Sequence, residues 1–301
     1  MDKISSQTVL SFCWISALSF SAGCELEEEN ILNIVDINEE LSISDSTGYW
    51  TGWLDKDNPS GNGDYEIDFP DPCNGAVPGN VMVRTTSGTP YQNTREIVHV
   101  DPIRGAWCVN SEQPDGTCDY DYKVRFYCNP NGNWTNWLDK DNPSGNGDYE
   151  IDFPDLCDGD TPMNLIVETT AGIRLESTNE IVNVDPTRGA WCINSEQPDG
   201  YCDHDYRVRF YCNPNGTWTN WLDKDNPSGN GDYEIDFPPE QTCQGGESAN
   251  VNVQTTSGVP YQITGEFVHV DPSLEYGGWC VNSEQSDSRC DYDYRVQYYC
   301  F

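Results

Sequence analysis

A stretch of twenty residues, Trp50-Thr51-Gly52-Trp53-Leu54-Asp55-Lys56-Asp57-Asn58-Pro59-Ser60-Gly61-Asn62-Gly63-Asp64-Tyr65-Glu66-Ile67-Asp68-Phe69, returns almost verbatim from Trp134 and from Trp218, each time 84 residues further on. That period exceeds the roughly 20–50 residues of a solenoid unit, so each copy is expected to be a small domain with its own core. The modules run over 50–128, 134–212 and 218–301, joined by linkers 129–133 and 213–217. So short a linker as Asn129-Pro130-Asn131-Gly132-Asn133 predicts stiff beads on a string.

Within a copy the apolar period is two. Tyr120, Tyr122, Val124, Phe126 and Cys128 alternate with Asp121, Lys123, Arg125 and Tyr127, which predicts a strand with one face in the core and a charged face in solvent. Val81–Thr86 and Glu96–Val100, either side of a turn at Ser87-Gly88-Thr89-Pro90, read as two more strands. No stretch shows helical periodicity. The fold class predicted is all-β: three tandem small disulfide-stabilised β-sandwich-like domains of five or six strands each, after a signal peptide and an acidic tether.

Twelve of the 14 cysteines keep the repeat: Cys73, Cys108, Cys118 and Cys128, then Cys157, Cys192, Cys202 and Cys212, then Cys243, Cys280, Cys290 and Cys300. Four cysteines allow three pairings, and spacing does not choose among them. The favoured expectation is Cys108 with Cys118 and Cys73 with Cys128. Closing the ten-residue loop would contribute about 2–3 kcal/mol by constraining the unfolded chain. Zinc is the competing use of four cysteines, but no C-x-x-C pair occurs and an exported chain favours disulfides.

Export is read from the amino terminus. Lys3 precedes an apolar run from Val9 to Phe20, about 12 residues where a membrane span needs about 20, so residues 1–23 are expected to be a signal peptide and no transmembrane helix is expected. Cys13 lies inside it, leaving Cys24 without a partner. Ser21-Ala22-Gly23-Cys24 resembles a bacterial lipobox without its usual Leu, which makes Cys24 a candidate lipidation site; cleavage nearby without lipid is the alternative. Residues 24–49, with eight acids and no base after Cys24, read as a solvated tether.

The densest polar feature of each copy is the loop Asp55–Glu66, where Asp55, Asp57, Asp64 and Glu66 crowd four carboxylates around Gly61 and Gly63. Hard oxygen donors on a Gly-bent loop suit Ca²⁺, and carboxylates held this close repel unless a cation lies among them. Calcium is therefore the expected cofactor, with Asp57, Asp64 and Glu66 the first choices and Asp139, Asp141, Asp148, Glu150 and Asp223, Asp225, Asp232, Glu234 the counterparts. Pro59 and Ser60 at the fifth and sixth positions exclude an EF-hand; a solvated turn with capping Asp and Asn is the plainer alternative.

Catalysis is not expected. Asp64 and Glu66 would share a strand face, as a glycosidase pair could, but three small modules frame no cleft and supply no separate acid. His99 corresponds to Asn183 and His204 to Tyr120, so no imidazole is common to matching sites. The formal charge of −36 argues against nucleic acid, whose phosphates need clustered Lys and Arg. Trp50/Trp53, Trp134/Trp137 and Trp218/Trp221 could form platforms for glycans, but tryptophans spaced by three on a strand put at least one ring inside. Asn133 and Asn215 begin Asn-x-Thr acceptors at the linkers, relevant in a eukaryotic host.

The ordered set W-T-x-W-L-D-x-D-x-P-S-G-x-G-D-Y-E, the lone Cys73, the strand Arg84-Thr85-Thr86, G-A-W-C-V-N-S-E-Q at Gly105–Gln113 and C-D-Y-D-Y-K-V-R-F-Y-C at Cys118–Cys128 resembles the WxxW, or CysD-type, module of gel-forming mucins and cartilage intermediate layer protein, the four-cysteine pattern being that of the cartilage protein. The resemblance covers about 250 of 301 residues. It implies a non-enzymatic, secreted or cell-surface module that organises matrix through calcium, self-association or contact with other matrix or surface glycoproteins. It further implies C-mannosylation of Trp50, Trp134 and Trp218 in a eukaryote, and makes Gln113, Gln197 and Gln285 conceivable transglutaminase donors, with a structural turn the favoured use. A carbohydrate-binding adhesin is the runner-up. Mucin Ser/Thr/Pro tracts are missing, and a lipobox would instead place the chain at a bacterial outer membrane.

Overall fold

The computed structural model describes residues 48–244 and 246–301; the signal peptide, Cys24 and the tether up to residue 47 lie outside them. Each module folds into two three-stranded antiparallel sheets. In module 1 the strands are β1 (Tyr49–Trp50), β2 (Gly63–Ile67), β3 (Asn80–Thr85), β4 (Val98–Asp101), β5 (Gly105–Val109) and β6 (Tyr122–Cys128), ordered β1-β6-β3 and β2-β5-β4. Module 2 repeats this with β7 (Asn133–Trp134), β8 (Gly147–Ile151), β9 (Asn164–Thr169), β10 (Val182–Asp185), β11 (Gly189–Ile193) and β12 (Tyr206–Cys212). Module 3 has β13 (Thr217–Trp218), β14 (Gly231–Glu234), β15 (Ser248–Thr255), β16 (Val268–Val270), β17 (Gly278–Val281) and β18 (Tyr294–Cys300). The described helices are 3-10 turns of three or four residues.

The alternation of β6 works as its sequence dictates. Tyr122, Val124 and Phe126 are buried against Val81, Val83, Ala106 and the disulfides to form the module core. Tyr120, assigned to this strand from the sequence, instead precedes it and is exposed, as is Tyr292 in module 3. The cysteines pair as favoured: Cys73–Cys128 and Cys108–Cys118, Cys157–Cys212 and Cys192–Cys202, Cys243–Cys300 and Cys280–Cys290. The longer bridge ties the loop after β2 to the end of β6. Replacing Cys157 and Cys212 together by Ala is expected to cost about 4 kcal/mol, measured by urea unfolding.

Two expectations fail, for one reason. The modules are not beads on a string, and the second face of β6 is not left to solvent: Lys123 and Arg125 are half-buried and Tyr127 is fully buried. Tyr127, Tyr211 and Tyr299 lie on that face and are fully buried with Met163 and Ala249 in a cluster to which all three modules contribute. Around it each module grips the one before. Trp134 Nε1 donates to the Pro78 carbonyl, Trp218 Nε1 to Pro162 and Trp50 Nε1 to Ser248, all at 2.9 Å. Asn164 donates to Gly79 (2.9 Å), Asn250 to Met163 (2.7 Å) and Asn80 to Ala249 (2.7 Å) in the same rotation. The contact is head-to-tail and closes after three units, giving a pseudo-three-fold ring in one chain. The linkers belong to this packing, with Asn129 donating to Asn213 and both side chains buried. An alternating pattern reports that a face is opposite the core, not what covers it.

Candidate metal centre

Asp64 and Glu66, two apart on β2, share one face, and both are fully buried. Gly63 before them must be glycine: at φ +155° any Cβ would stand 2.0 Å from the Cys108 carbonyl. Gly61 at φ +57° makes the turn that folds the Asp55–Asp57 segment back over the strand. Carboxylate oxygens of Asp57, Asp64 and Glu66 come within 4.8 Å of one another, as do those of Asp141, Asp148 and Glu150, and of Asp225, Asp232 and Glu234.

Their hydrogen bonds separate two tasks. Glu66 accepts from the backbone N–H of Lys56 (2.7 Å) and Asp57 (3.2 Å), one to each oxygen, and so clamps the loop. Asp57 Oδ1 accepts from Tyr65 N (2.9 Å). Asp64 Oδ2 accepts from Tyr122 N (2.9 Å), but its Oδ1 is buried with no partner. The same oxygen is unpartnered in Asp148 and Asp232, and so is one oxygen each of Asp121, Asp205 and Asp293. Asp121 stands just before β6 and acts electrostatically on Asp64. It was not among the residues chosen from the sequence, although Asp121, Asp205 and Asp293 are identical across the copies where their neighbours Tyr120 and His204 are not.

Burial pushes the Asp64, Asp148 and Asp232 carboxyls up to about 7, opposed by the backbone hydrogen bonds from Tyr122, Tyr206 and Tyr294 and reinforced by neighbouring carboxylates. Burial likewise raises Glu66 and Glu150 to about 7 and Glu234 to about 8, against the amides that bond them. Asp139 and Asp223 are also raised, by desolvation and then by Asp205 and Asp293 respectively. Buried anionic oxygens without donors are costly unless a cation meets them. Oxygen-only donors of this kind fit a hard divalent ion.

Other residues singled out from the sequence are placed as follows. Gln113, Gln197 and Gln285 are buried structural clamps; Gln113 accepts from Ile97 N and donates to Ile97 O and Val109 O. Asn133 and Asn215 are exposed. Trp50, Trp134 and Trp218 spend their indole N–H on the neighbouring module. Trp53 is 36% exposed and lies 5.7, 5.4 and 5.1 Å from the cationic groups of Arg84, Lys123 and Arg125. His99 stacks on Trp107 between Glu112 and Glu176.

Two small sheets, two disulfides and a carboxylate cage under a Gly-bent loop define a compact disulfide-stapled β module, present three times. The chain belongs to the family described as the Mucin-2 protein WxxW repeating region, which matches residues 50–128, 134–212 and 218–300. Among known proteins it is similar to cartilage intermediate layer protein 1 of Homo sapiens, 42% identical over 93 residues, and of Mus musculus, 35% over 102 residues. Cartilage intermediate layer protein 2 of Homo sapiens is 38% identical over 93 residues. These matches cover 28–30% of this chain and only 8–9% of the relatives' length, so one module is what they share.

Proposed function

We propose that this is a non-enzymatic extracellular protein of matrix type, a ring of three WxxW modules each holding one Ca²⁺. The observation that carries the metal is the pair of buried, unpartnered aspartate oxygens recurring in every module, Asp64 with Asp121, Asp148 with Asp205 and Asp232 with Asp293. Asp57, Asp64 and Asp121 would hold the ion in module 1, with Asp55 at the loop's mouth and Glu66 fixing the loop. The bound ion neutralises charge and ties the loop and β2 to the start of β6. The matrix setting is supported by the relatives, which are named for cartilage. The non-enzymatic reading is supported by Asp64 and Glu66 being enclosed and bonded to main-chain amides rather than facing a cleft. Among the described residues no helix is long and apolar enough to cross a membrane.

Calorimetric titration is expected to show three calcium ions per chain. Asp121→Asn should leave two, with the disulfides and secondary structure unchanged. Three sites persisting in that variant would remove Asp121 from the ligand set; no saturable calcium in the parent protein would sink the proposal.

A further inference from the structure

The three contacts of the ring enclose three equivalent grooves, and comparison of these shows what one of them lacks. Between modules 3 and 1, Arg125 sits 4.9 Å from Trp50 and 5.1 Å from Trp53, while Arg84 pairs with the buried Asp271 at 3.1 Å. Between modules 1 and 2, Arg209 lies 5.3 Å from Trp134 and 4.7 Å from Trp137, while Arg174 pairs with the buried Asp101 at 2.5 Å. In each case one arginine lies between the two tryptophans and a second neutralises the aspartate. Burial lowers the affinity of Arg125 and Arg209 for their protons, against nearby acids.

Between modules 2 and 3 the chain supplies neither cation. The position of Arg125 and Arg209 is Gln297, and those of Arg84 and Arg174 are Gln254 and Pro260. Gln297 is 8% exposed, lines the groove beside Trp218 and Trp221, and its side-chain amide makes no hydrogen bond with another described residue. Asp185 is 7% exposed and has no ion pair among the described residues: Oδ1 accepts from Thr187 and Arg188, and among those residues Oδ2 meets only Asn252 at 3.4 Å. Gln254, with its amide oxygen turned to Arg295, holds that arginine over Trp221. The groove measures about 600 Å³, against about 330 and 250 Å³ for the two that contain inner arginines. Arg188 is a cation at its edge, but the corresponding Arg104 shares its groove with both Arg174 and Arg209.

We propose that the groove between modules 2 and 3 binds an alkyl guanidinium, the side chain of an arginine brought by a ligand, which takes the place that Arg125 and Arg209 fill in the other two. It would stack on Trp218 and Trp221, pair with Asp185 and receive the Gln297 amide oxygen. Cation–π contact and a half-buried ion pair reward a planar cation over a neutral isostere, and the net charge of −28 on residues 50–301 concentrates cations nearby.

The test uses the full chain with calcium present, at physiological ionic strength. N-acetyl-L-arginine amide should bind saturably, once per chain, and the isosteric N-acetyl-L-citrulline amide at least tenfold more weakly. Gln297→Arg, which copies the other modules, and Gln254→Arg, which places the cation that Arg84 supplies to Asp271, should each weaken binding at least tenfold while near-ultraviolet dichroism is retained. Free L-arginine binding as tightly as arginine within a short uncharged peptide assigns the site to the amino acid; tighter binding of the peptide assigns it to a partner protein. Equal binding of citrulline, unsaturable binding of many arginines, or binding that survives both substitutions overturns the proposal.

Discussion

Stripped of divalent cations, the protein is expected to melt at a higher temperature at pH 5 than at pH 8, and millimolar calcium is expected to reverse that order. The sign follows from six carboxyls. In the unfolded chain Asp64, Glu66 and their counterparts ionise near about 4; in the folded, metal-free modules they do so at about 7, and at about 8 for Glu234. Between those limits the folded state holds more protons, so stability falls as pH rises through the interval. Below about 4 both states are protonated and that loss is absent. The proposed calcium would need the ionised carboxylates and would bind only the fold, so its stabilisation would grow over the same interval. At a hundredfold excess over Kd each site contributes about 2.7 kcal/mol. Three sites would raise the melting temperature by about 20 °C at about 2–4 °C per kcal/mol. Calorimetric melts at both pH values, in chelator and in calcium, check this; the same pH trend in both would mean that the buried carboxylates are not the calcium ligands.

What the sequence disclosed and what it withheld divide along physical lines. The Tyr122-Val124-Phe126 alternation, the cysteine set and the Asp55–Glu66 loop are local patterns, and each led to its element: β6, the paired disulfides and the cage beside β2. Asp121 was missed because it lies more than 50 residues from the loop and reaches Asp64 only through the packing of β6 on β2. Its identity in all three copies was the available signal. The ring was missed because Tyr127 and Arg125 occupy the face that a two-sheet module leaves outside, where a charged or aromatic side chain is ordinary. Only long-range contacts such as Trp134 to Pro78 show that another module covers it. Of the formal charge of −36, residues 50–301 carry −28, which is thus borne on a compact ring rather than along a string.

Closure of the ring rests on the three tyrosines Tyr127, Tyr211 and Tyr299 outside the module cores, and Tyr211 tests it. Tyr211 is fully buried, its ring meets Trp134 edge-on at 5.2 Å, and a Cβ at Gly79 of the neighbouring module would stand 2.3 Å from it. A tyrosine of this kind buries about 150–250 Å², and large-to-small truncation of a buried aromatic costs about 3–5 kcal/mol. Tyr211→Ala is therefore expected to lose that much, and the loss should fall on the ring, because the disulfides and the Tyr206-Val208-Phe210 core lie on the other face of β12. A closed unit of about 250 residues has a radius of gyration of about 18 Å. Three modules strung about 30 Å apart would give about 27 Å by the same scaling. Solution X-ray scattering should show the variant expanding by several ångströms while its disulfides remain intact. Tyr211→Phe, which keeps the aromatic volume, should stay compact and within about 1.5 kcal/mol of the parent. Equal compactness of the Ala variant would mean that the Trp and Asn contacts alone hold the modules together.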